Sequence, residues 1–360
     1  MWDLRRRRAG SIVPGVIVAA AIILAGCEAP LVLDGVERMR AQPIHRTDRY
    51  QAAARVDDHV VVVGNQGVVL RSSDKGASWA RLELEGWPAL IDIAVCPDGS
   101  FAALAYEQKV YLSTDRGATW SEKAIDTPET PQSITCAQDG RLWVVGSYTS
   151  IWTSSDAGGS WSETALGEDT ILTTVQFFGA DKGLITGEFG IVLKTTDGGE
   201  NWERLPSMPG EFYSQEAYFA DPSTGWSIGL GGSIWHTTDG AQTWTKQPTG
   251  TAVSLYGIES VGGRLYVIGG EGTMLSYRDG TWHAFDHGKP VRLYIRAIAA
   301  LGDGQVLIGG VGGSLYVVDT GGAGWKDFEH FLESIIQPSN TRVLAFLNIV
   351  GAGMTGPPEQ

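Results

Sequence analysis

Seven tryptophans recur along the chain at nearly even intervals of about 41 residues. They are Trp79, Trp120, Trp161, Trp202, Trp244, Trp282 and Trp325. A repeat of this length, made of short apolar segments separated by Gly-rich turns, is typical of the blades of a β-propeller. We therefore predict an all-β fold, a seven-bladed propeller of four-stranded antiparallel blades.

Each tryptophan ends a short motif, which in the first copy comprises Ser72, Asp74, Gly76 and Trp79. In such a turn the aspartate accepts hydrogen bonds from backbone N–H groups, the glycine adopts a positive φ, and the tryptophan packs between neighbouring sheets. This motif is the Asp-box, and we predict that it stabilises the hairpin between the third and fourth strands rather than forming a catalytic or metal site. The other members are Asp115, Gly117, Trp120, Asp156, Gly158, Trp161, Asp197, Gly199, Trp202, Asp239 and Trp244. The fifth copy has Ala241 in place of glycine, and the sixth is shortened around Asp279.

A pair of glycines ten and seven residues before the box aspartate predicts the turn between the second and third strands. Gly187 and Gly190 are an example, and in the last blade the spacing selects Gly309 and Gly312. A strand follows each pair instead of a helix, which excludes a phosphate-binding loop.

The first 26 residues are predicted to be a lipoprotein signal peptide. Arg5 to Arg8 precede an apolar run too short to span a bilayer, and the run ends in Leu24-Ala25-Gly26-Cys27, which is similar to a lipobox. Cys27 would then carry the lipid, and the protein would be anchored in the bacterial envelope, facing the periplasm or a lumen. An ordinary cleaved signal with a chance cysteine is the alternative, and the sequence leaves open which membrane holds the anchor.

The rest of the chain divides into a tether at residues 27–45, a propeller at 46–328 and a C-terminal tail at 329–360 without a blade signature. A propeller must close its ring, and two segments are candidates for the outer strand of the last blade: residues 35–44, or Trp325 to Phe328. We favour residues 35–44, because the last Asp-box is the most distorted.

Two cysteines remain besides Cys27. Cys96 and Cys136 lie late on the inner strands of adjacent blades, at positions that face each other between the two sheets. A disulfide between these blades and a pair of buried free thiols are both compatible with this placement.

The loops that connect one blade to the next are long and carry aromatic side chains, and loops held by a rigid scaffold often bind partners. Our candidate partner-binding residues are Trp87, Phe212, Tyr213, Tyr256, Arg292, Tyr294 and Arg296. The alternative is that these aromatic side chains only cover the loops beneath them.

The arrangement of a glycine pair, an apolar strand and Thr-x-Asp-Gly-Gly-x-x-Trp, seen most fully from Gly187 to Trp202, resembles the photosystem II stability and assembly factor family. The resemblance covers roughly residues 51–319. It implies a seven-bladed, non-catalytic scaffold or assembly factor that holds a membrane protein complex, such as a photosystem or exporter component.

Sialidases also contain Asp-boxes, so a glycan-binding or glycan-cleaving propeller is the alternative function, and a structural or ligand-sensing propeller is another. The chain lacks the Phe/Tyr-Arg-Ile-Pro stretch of sialidases, and few arginines fall on inner strands. The six histidines are scattered without ligand spacing, so we predict neither a metal nor a cofactor. The net charge of −14 argues against a nucleic-acid partner. We predict a monomer.

Overall fold

The computed structural model describes residues 34–286, 291 and 293–321, and the backbone of 325–327. The predicted signal peptide, Cys27, Arg292 and the tail at 329–360 lie outside the described residues. A short helix, α1 (Asp34–Arg40), precedes the propeller and forms a unit separate from the chain that begins at Pro43. Among the described residues, no helix is long and apolar enough to cross a membrane.

Seven four-stranded antiparallel sheets form the propeller, each built from four consecutive strands. Blade 1 contains β1 (Tyr50–Val56), β2 (His59–Gly64), β3 (Val68–Ser72) and β4 (Ala80–Glu83). Blade 2 contains β5 (Leu90–Val95), β6 (Phe101–Ala105), β7 (Lys109–Ser113) and β8 (Ser121–Ala124). Blade 3 contains β9 (Pro131–Cys136), β10 (Leu142–Gly146), β11 (Ser150–Ser154) and β12 (Ser162–Ala165). Blade 4 contains β13 (Leu172–Phe178), β14 (Lys182–Gly187), β15 (Val192–Thr195) and β16 (Glu203–Arg204).

The remaining blades repeat this order. Blade 5 contains β17 (Ser214–Phe219), β18 (Gly225–Gly229), β19 (Ile234–Thr237) and β20 (Thr245–Gln247). Blade 6 contains β21 (Leu255–Val261), β22 (Arg264–Gly269), β23 (Met274–Arg278) and β24 (Thr281–Ala284). Blade 7 contains β25 (Ile295–Gly302), β26 (Gln305–Gly310), β27 (Leu315–Asp319) and β28 (Trp325–Asp327). The predicted fold class is confirmed.

The apolar core is divided into seven layers, one between each pair of neighbouring blades. The second strand of each blade is buried on both faces, as in β2, where Val60 to Val63 are fully buried. Side chains on one face contact the preceding blade and those on the other face contact the next: Val61 and Val63 pack toward blade 2, and Val60 and Val62 toward blade 7. This explains why the second strands read as continuous apolar runs rather than as alternating ones.

Our preferred assignment of the ring-closing strand is wrong. Residues 34–40 form α1, and the outer strand of blade 7 is β28, which pairs with β27 through Val318 and Trp325. The ring therefore closes through contacts between blades 7 and 1. The apolar layer between them contains Tyr50 and Leu307, and a backbone bridge joins Arg49 to Val311. The distorted box gave a misleading signal, because β28 needs only backbone pairing to complete the sheet.

The Asp-boxes make the same hydrogen bonds in five blades. In the fourth copy, Asp197 accepts hydrogen bonds from the backbone N–H of Asn201 (3.0 Å) and from its side-chain amide (2.7 Å), while Thr195 donates to the same carboxylate. These hydrogen bonds, the side-chain amide of Asn201 first, lower the pKa of Asp197 to about 2. All the donors belong to the turn itself, which is the structural role predicted for the motif.

Two of the irregular turns differ from the simple motif. Ala241 adopts the left-handed conformation (φ 66°) that the other blades assign to glycine. In blade 6 the box is replaced by a two-residue turn at Asp279 and Gly280, both with positive φ, as a tight hairpin turn requires. In blade 7 the glycine pair is Gly310 and Gly313 rather than Gly309 and Gly312. The N–H of Gly310 donates to the backbone oxygen of Ser314, four residues on, just as the N–H of Gly187 donates to Ile191 in blade 4.

Candidate functional site

The two faces of the ring differ in what they expose. The inner strands begin, and the second strands end, on one face, so that this face carries both the blade-to-blade loops and the turns between the second and third strands. We call it the loop face. The opposite face carries the first hairpins and the Asp-boxes and is called the box face.

Among the described residues of the propeller, every exposed large apolar side chain lies on the loop face. They are Trp87, Tyr106, Tyr148, Leu166, Phe189, Leu230 and Leu293. Isolated exposed apolar side chains are ordinary, but their confinement to one face is a feature of interaction surfaces. Only Trp87 of these seven was a candidate from the sequence, and it is the most exposed at 72%.

The turns between second and third strands hold large side chains in an unusual backbone conformation. Tyr148 and Phe189 occupy the same turn position in blades 3 and 4, with φ of 57° and 53°. Their side chains are 50% and 56% exposed. The equivalent turns of blades 1 and 6 have the same left-handed position at Gln66 (φ 62°) and Glu271 (φ 54°), so this conformation belongs to the turn type. Gly231 occupies this position in blade 5, where Leu230 is exposed instead.

A second feature of the site is the central channel. Each of the seven inner strands has a bulge near its start, where one residue falls out of register with the second strand. The out-of-register residues line a cavity of about 210 Å³ on the ring axis. They are Gln51, Ile91, Gln132, Thr173, Gln215, Tyr256 and Arg296. Two candidates from the sequence, Tyr256 and Arg296, therefore lie in equivalent positions on the channel wall.

Three carboxylates that the sequence analysis missed line the same cavity: Asp92, Glu216 and Glu259. Burial raises the pKa of Glu216 to about 8, with a further contribution from the charge of Asp92, and burial raises the pKa of Glu259 to about 7. Burial also raises the pKa of Asp92. The positive charge of Arg296 acts in the opposite direction on Asp92 and Glu216.

Two of these carboxylates join neighbouring blades. Asp92 accepts a hydrogen bond from the backbone N–H of Ile134 in the next blade (2.9 Å), and Glu216 accepts one from Ile258 in the next blade (3.2 Å). The hydroxyl oxygen of Thr174 in blade 4 accepts the equivalent hydrogen bond from the backbone N–H of Ala217 (3.1 Å). The third residue of these inner strands thus accepts a hydrogen bond from an inner-strand N–H of the next blade. In blades 2 and 5 this residue is a carboxylate. The available sequence signal was a carboxylate at the third position of an inner strand, as at Asp92 in β5 and Glu216 in β17.

Of the other candidates from the sequence, Tyr213 and Tyr294 are partly exposed and Phe212 is buried. Tyr213 lies half-buried, and burial followed by the charge of Glu188 raises its pKa, which the charge of Arg296 opposes. Tyr294 is also half-buried, and its ring contacts that of Tyr256 edge-to-face with centroids 6.0 Å apart. Phe212 is the exception.

Phe212 is a core residue, and its assignment to an exposed partner-binding surface is wrong. It is 7% exposed and packs in the apolar layer between blades 4 and 5, where its ring lies 6.2 Å from that of Trp235. A Cβ atom at position 229 would lie only 2.8 Å from the ring of Phe212, so this ring packs directly against Gly229. The long loop before β17 turns inward here because the layer has room for a large apolar group.

The structure joins Cys96 and Cys136 in a disulfide, with Cα atoms 5.0 Å apart. The bond links blades 2 and 3 near the box face, away from the loop face. No group of three or more His, Cys, Asp or Glu side chains in the described part of the chain is arranged to hold a metal ion.

Comparison with known proteins agrees with the motif analysis. The model of a family described as photosynthesis system II assembly factor YCF48 matches residues 112–217. The predicted resemblance to this family is confirmed. No curated protein sequence matches the chain significantly.

Solved structures share the propeller. One is described as YCF48 bound to D1 peptide: it is 18% identical, the match covers 77% of this chain and 93% of that one, and the TM-score is 0.64. YCF48 from Cyanidioschyzon merolae is 15% identical, with 78% and 98% covered and a TM-score of 0.63. A catalytically inactive virginiamycin B lyase from Staphylococcus aureus with quinupristin is 14% identical, with 76% and 96% covered and a TM-score of 0.65. At these identities the matches show the fold alone.

Proposed function

We propose that this protein is a non-catalytic scaffold of the bacterial envelope, which binds a membrane protein complex through its loop face and assists the assembly of that complex. The observation that carries the proposal is the confinement of exposed large apolar side chains to the loop face. The match to the assembly-factor family over residues 112–217 supports it, as does the structure of YCF48 with a D1 peptide. The photosystem or exporter complex named from the sequence remains our proposed class of partner.

The proposal includes the membrane anchor. Lipidation at Cys27 would hold the propeller, as a monomer, at the membrane surface through two or three acyl chains, which is sufficient for stable attachment. An anchored propeller meets membrane complexes at high local concentration, so a loop face of modest affinity is enough to keep a partner bound.

A pull-down of the tagged, lipidated protein from its own membranes, after mild crosslinking and read by mass spectrometry, tests the scaffold role. We expect recovery of one integral membrane complex in near-stoichiometric amount. Substitution of Arg296 by Ala at the channel mouth should weaken this recovery, since arginine is a frequent anchor of interfaces. Arg55→Ala near the box-face end of β1 is the matched control and should leave recovery unchanged. Recovery of lipid and cell-wall glycan alone would contradict the scaffold role.

A glycan-processing propeller is the second candidate, because Asp92, Glu216, Glu259 and Arg296 line one cavity. Most glycosidases use a pair of carboxylates with unequal pKa values, whereas sialidases use a tyrosine nucleophile and hold the substrate carboxylate with three arginines. In the described residues Arg296 is the one arginine that lines the channel, and Asp92 and Glu216 already hold neighbouring strands together.

Release of a fluorophore from aryl glycosides, including a sialoside, by the purified protein distinguishes the two functions. We expect no turnover above buffer. Turnover that Glu216→Gln or Glu259→Gln abolishes would establish the enzyme instead.

A further inference from the structure

The exposed apolar side chains of the loop face are not spread around the ring. Blades 2, 3, 4 and 5 each expose one at the turn between second and third strands, and two blade-to-blade loops add another each within the same sector. We call this set the apolar arc: Trp87, Tyr106, Tyr148, Leu166, Phe189 and Leu230. In blades 1 and 6 the corresponding turns carry Gln66 and Glu271. The arc is therefore a sector of consecutive blades and not a general property of these turns.

Acidic residues accompany the arc along the chain. Four are exposed or half-exposed within two residues of an arc member: Glu85, Glu107, Glu168 and Glu188. A fifth, Glu129 on the blade 2–3 loop, accepts a hydrogen bond from Ser147, the neighbour of Tyr148. Asp126, Asp169 and Glu211 lie on the blade-to-blade loops of the same sector.

Three basic side chains of this sector form ion pairs. Arg204 pairs with Glu168, so these two charges cancel and the acidic border consists of the other carboxylates. Lys109 pairs with Glu122, and Arg81, beside Trp87, pairs with Asp48 and Glu83. An apolar surface with an acidic border matches a ligand that carries apolar groups and positive charges.

We propose that the apolar arc binds a polypeptide segment of the partner complex that carries aromatic or aliphatic side chains flanked by lysine or arginine. The apolar side chains of the segment would cover the arc, and its basic residues would meet the acidic border, so that charge complementarity fixes orientation and speeds association. A membrane surface of anionic lipid meets the same acidic residues with repulsion, which favours a polypeptide over a bilayer. This inference rests on the proposed scaffold function and adds the surface and the chemistry of the bound segment.

The strained backbone at two arc positions offers a clean test. Tyr148 and Phe189 have left-handed backbone, which asparagine tolerates better than an aromatic residue does. The double variant Tyr148→Asn with Phe189→Asn therefore removes apolar surface while leaving the fold as stable as before. Leu293→Asn is the control, because Leu293 is a 48% exposed apolar residue on the same face outside the arc.

Fluorescence anisotropy with the full-length protein and two short labelled peptides measures the effect. Both peptides contain the same Leu and Phe core, one flanked by lysines and the other by glutamates. We expect the lysine-flanked peptide to bind at least about tenfold more tightly, and this preference to shrink as salt rises above about 0.15 M. The double variant should lose at least about tenfold in affinity, and Leu293→Asn should lose little.

Equal binding of the two peptides, or binding unchanged in the double variant, would overturn the proposal. Co-sedimentation of the protein with phosphatidylglycerol vesicles that the double variant loses would assign the arc to a membrane instead. The outcome is separable from that of the scaffold function: if the pull-down recovers a complex equally with wild type and the double variant, the scaffold role stands and the arc is not its contact surface.

Discussion

Glu216 shows how a single residue in the channel links stability to pH. Its pKa is about 8 in the folded protein against 4.5 for an ordinary glutamate, because burial and the charge of Asp92 disfavour ionisation. The folded state therefore holds this proton more tightly than the unfolded chain does. The resulting stabilisation is complete below pH 4.5 and is lost as the pH rises through about 8.

Replacing Glu216 with Gln should remove this pH dependence. The amide oxygen can still accept the hydrogen bond from Ile258, and no charge develops at position 216. We expect the melting temperature of the variant to exceed that of wild type at about pH 9 and to match it at about pH 4. Thermal unfolding at both pH values checks this, with the exposed Glu163→Gln as control. A gain of the same size at both pH values would show that the effect is not linked to the proton.

At the residue scale the sequence was informative where a motif repeats. Asp197 and Trp202 recur with their neighbours in fixed spacing, and their local hydrogen bonds follow from residue type. Phe212 was misplaced because an aromatic residue in a loop reads the same whether it points to solvent or into the layer between blades. Tyr148 and Phe189 were missed because the sequence signal of their turns is glycine. The residue type at the exposed position varies from blade to blade, so the sequence does not mark it.

At the scale of the element, the disulfide joins the ends of two inner strands that share no backbone pairing. Cys96 directly follows β5 of blade 2, Cys136 is the last residue of β9 of blade 3, and the two cysteines are 40 residues apart. Closing a chain segment of this length restricts the unfolded state, which stabilises the native fold.

The double variant Cys96→Ala with Cys136→Ala should be less stable by about 2–4 kcal/mol. Denaturant unfolding with and without reductant measures the effect: reductant should shift the midpoint of wild type and leave that of the variant unchanged. Two alkylatable thiols in the native, unreduced protein would contradict the bond.

The elements were more predictable than the closure of the ring. Strand order, the four-stranded blade and the turn types follow from a period that is repeated seven times. Closure of the ring occurs once, so the repeat carries no signal for it. The choice of residues 35–44 or β28 as the outer strand of blade 7 depended on how much distortion a hairpin tolerates. β27 pairs with β28 although the sequence from Asp319 to Trp325 is one residue longer than in the regular Asp-box.

At the scale of the whole molecule, Asp48 fixes to blade 1 the segment that contacts the last blade. Its side chain is almost completely buried, accepts hydrogen bonds from Tyr50 and Arg81, and forms the ion pair with Arg81 (2.9 Å). Its backbone oxygen accepts a hydrogen bond from Gly313 of blade 7. A ring that closes without a shared strand depends on such contacts, since a single backbone bridge, between Arg49 and Val311, joins its first and last blades in the described part of the chain.

Asp48→Ala should lower the free energy of unfolding by about 3–5 kcal/mol, since it leaves the charge of Arg81 without its buried partner. Asp57→Asn is the control: Asp57 is exposed and pairs with Arg116, and asparagine tolerates its left-handed backbone (φ 52°), so the loss should cost less than about 1 kcal/mol. Denaturant unfolding of both variants measures the difference. Equal losses would indicate that the buried ion pair of Asp48 with Arg81 does not stabilise the segment that contacts blade 7.

Site-specific photocrosslinking in native membranes tests the central claim, that this propeller binds a membrane complex through its loop face. A photoreactive phenylalanine analogue is placed at Phe189 on the loop face or at Ser160 in the third Asp-box, on the box face. We predict that crosslinking at position 189 captures one integral membrane complex and that crosslinking at position 160 captures none. Equal capture at both positions, or capture at position 160 alone, would contradict binding through the loop face.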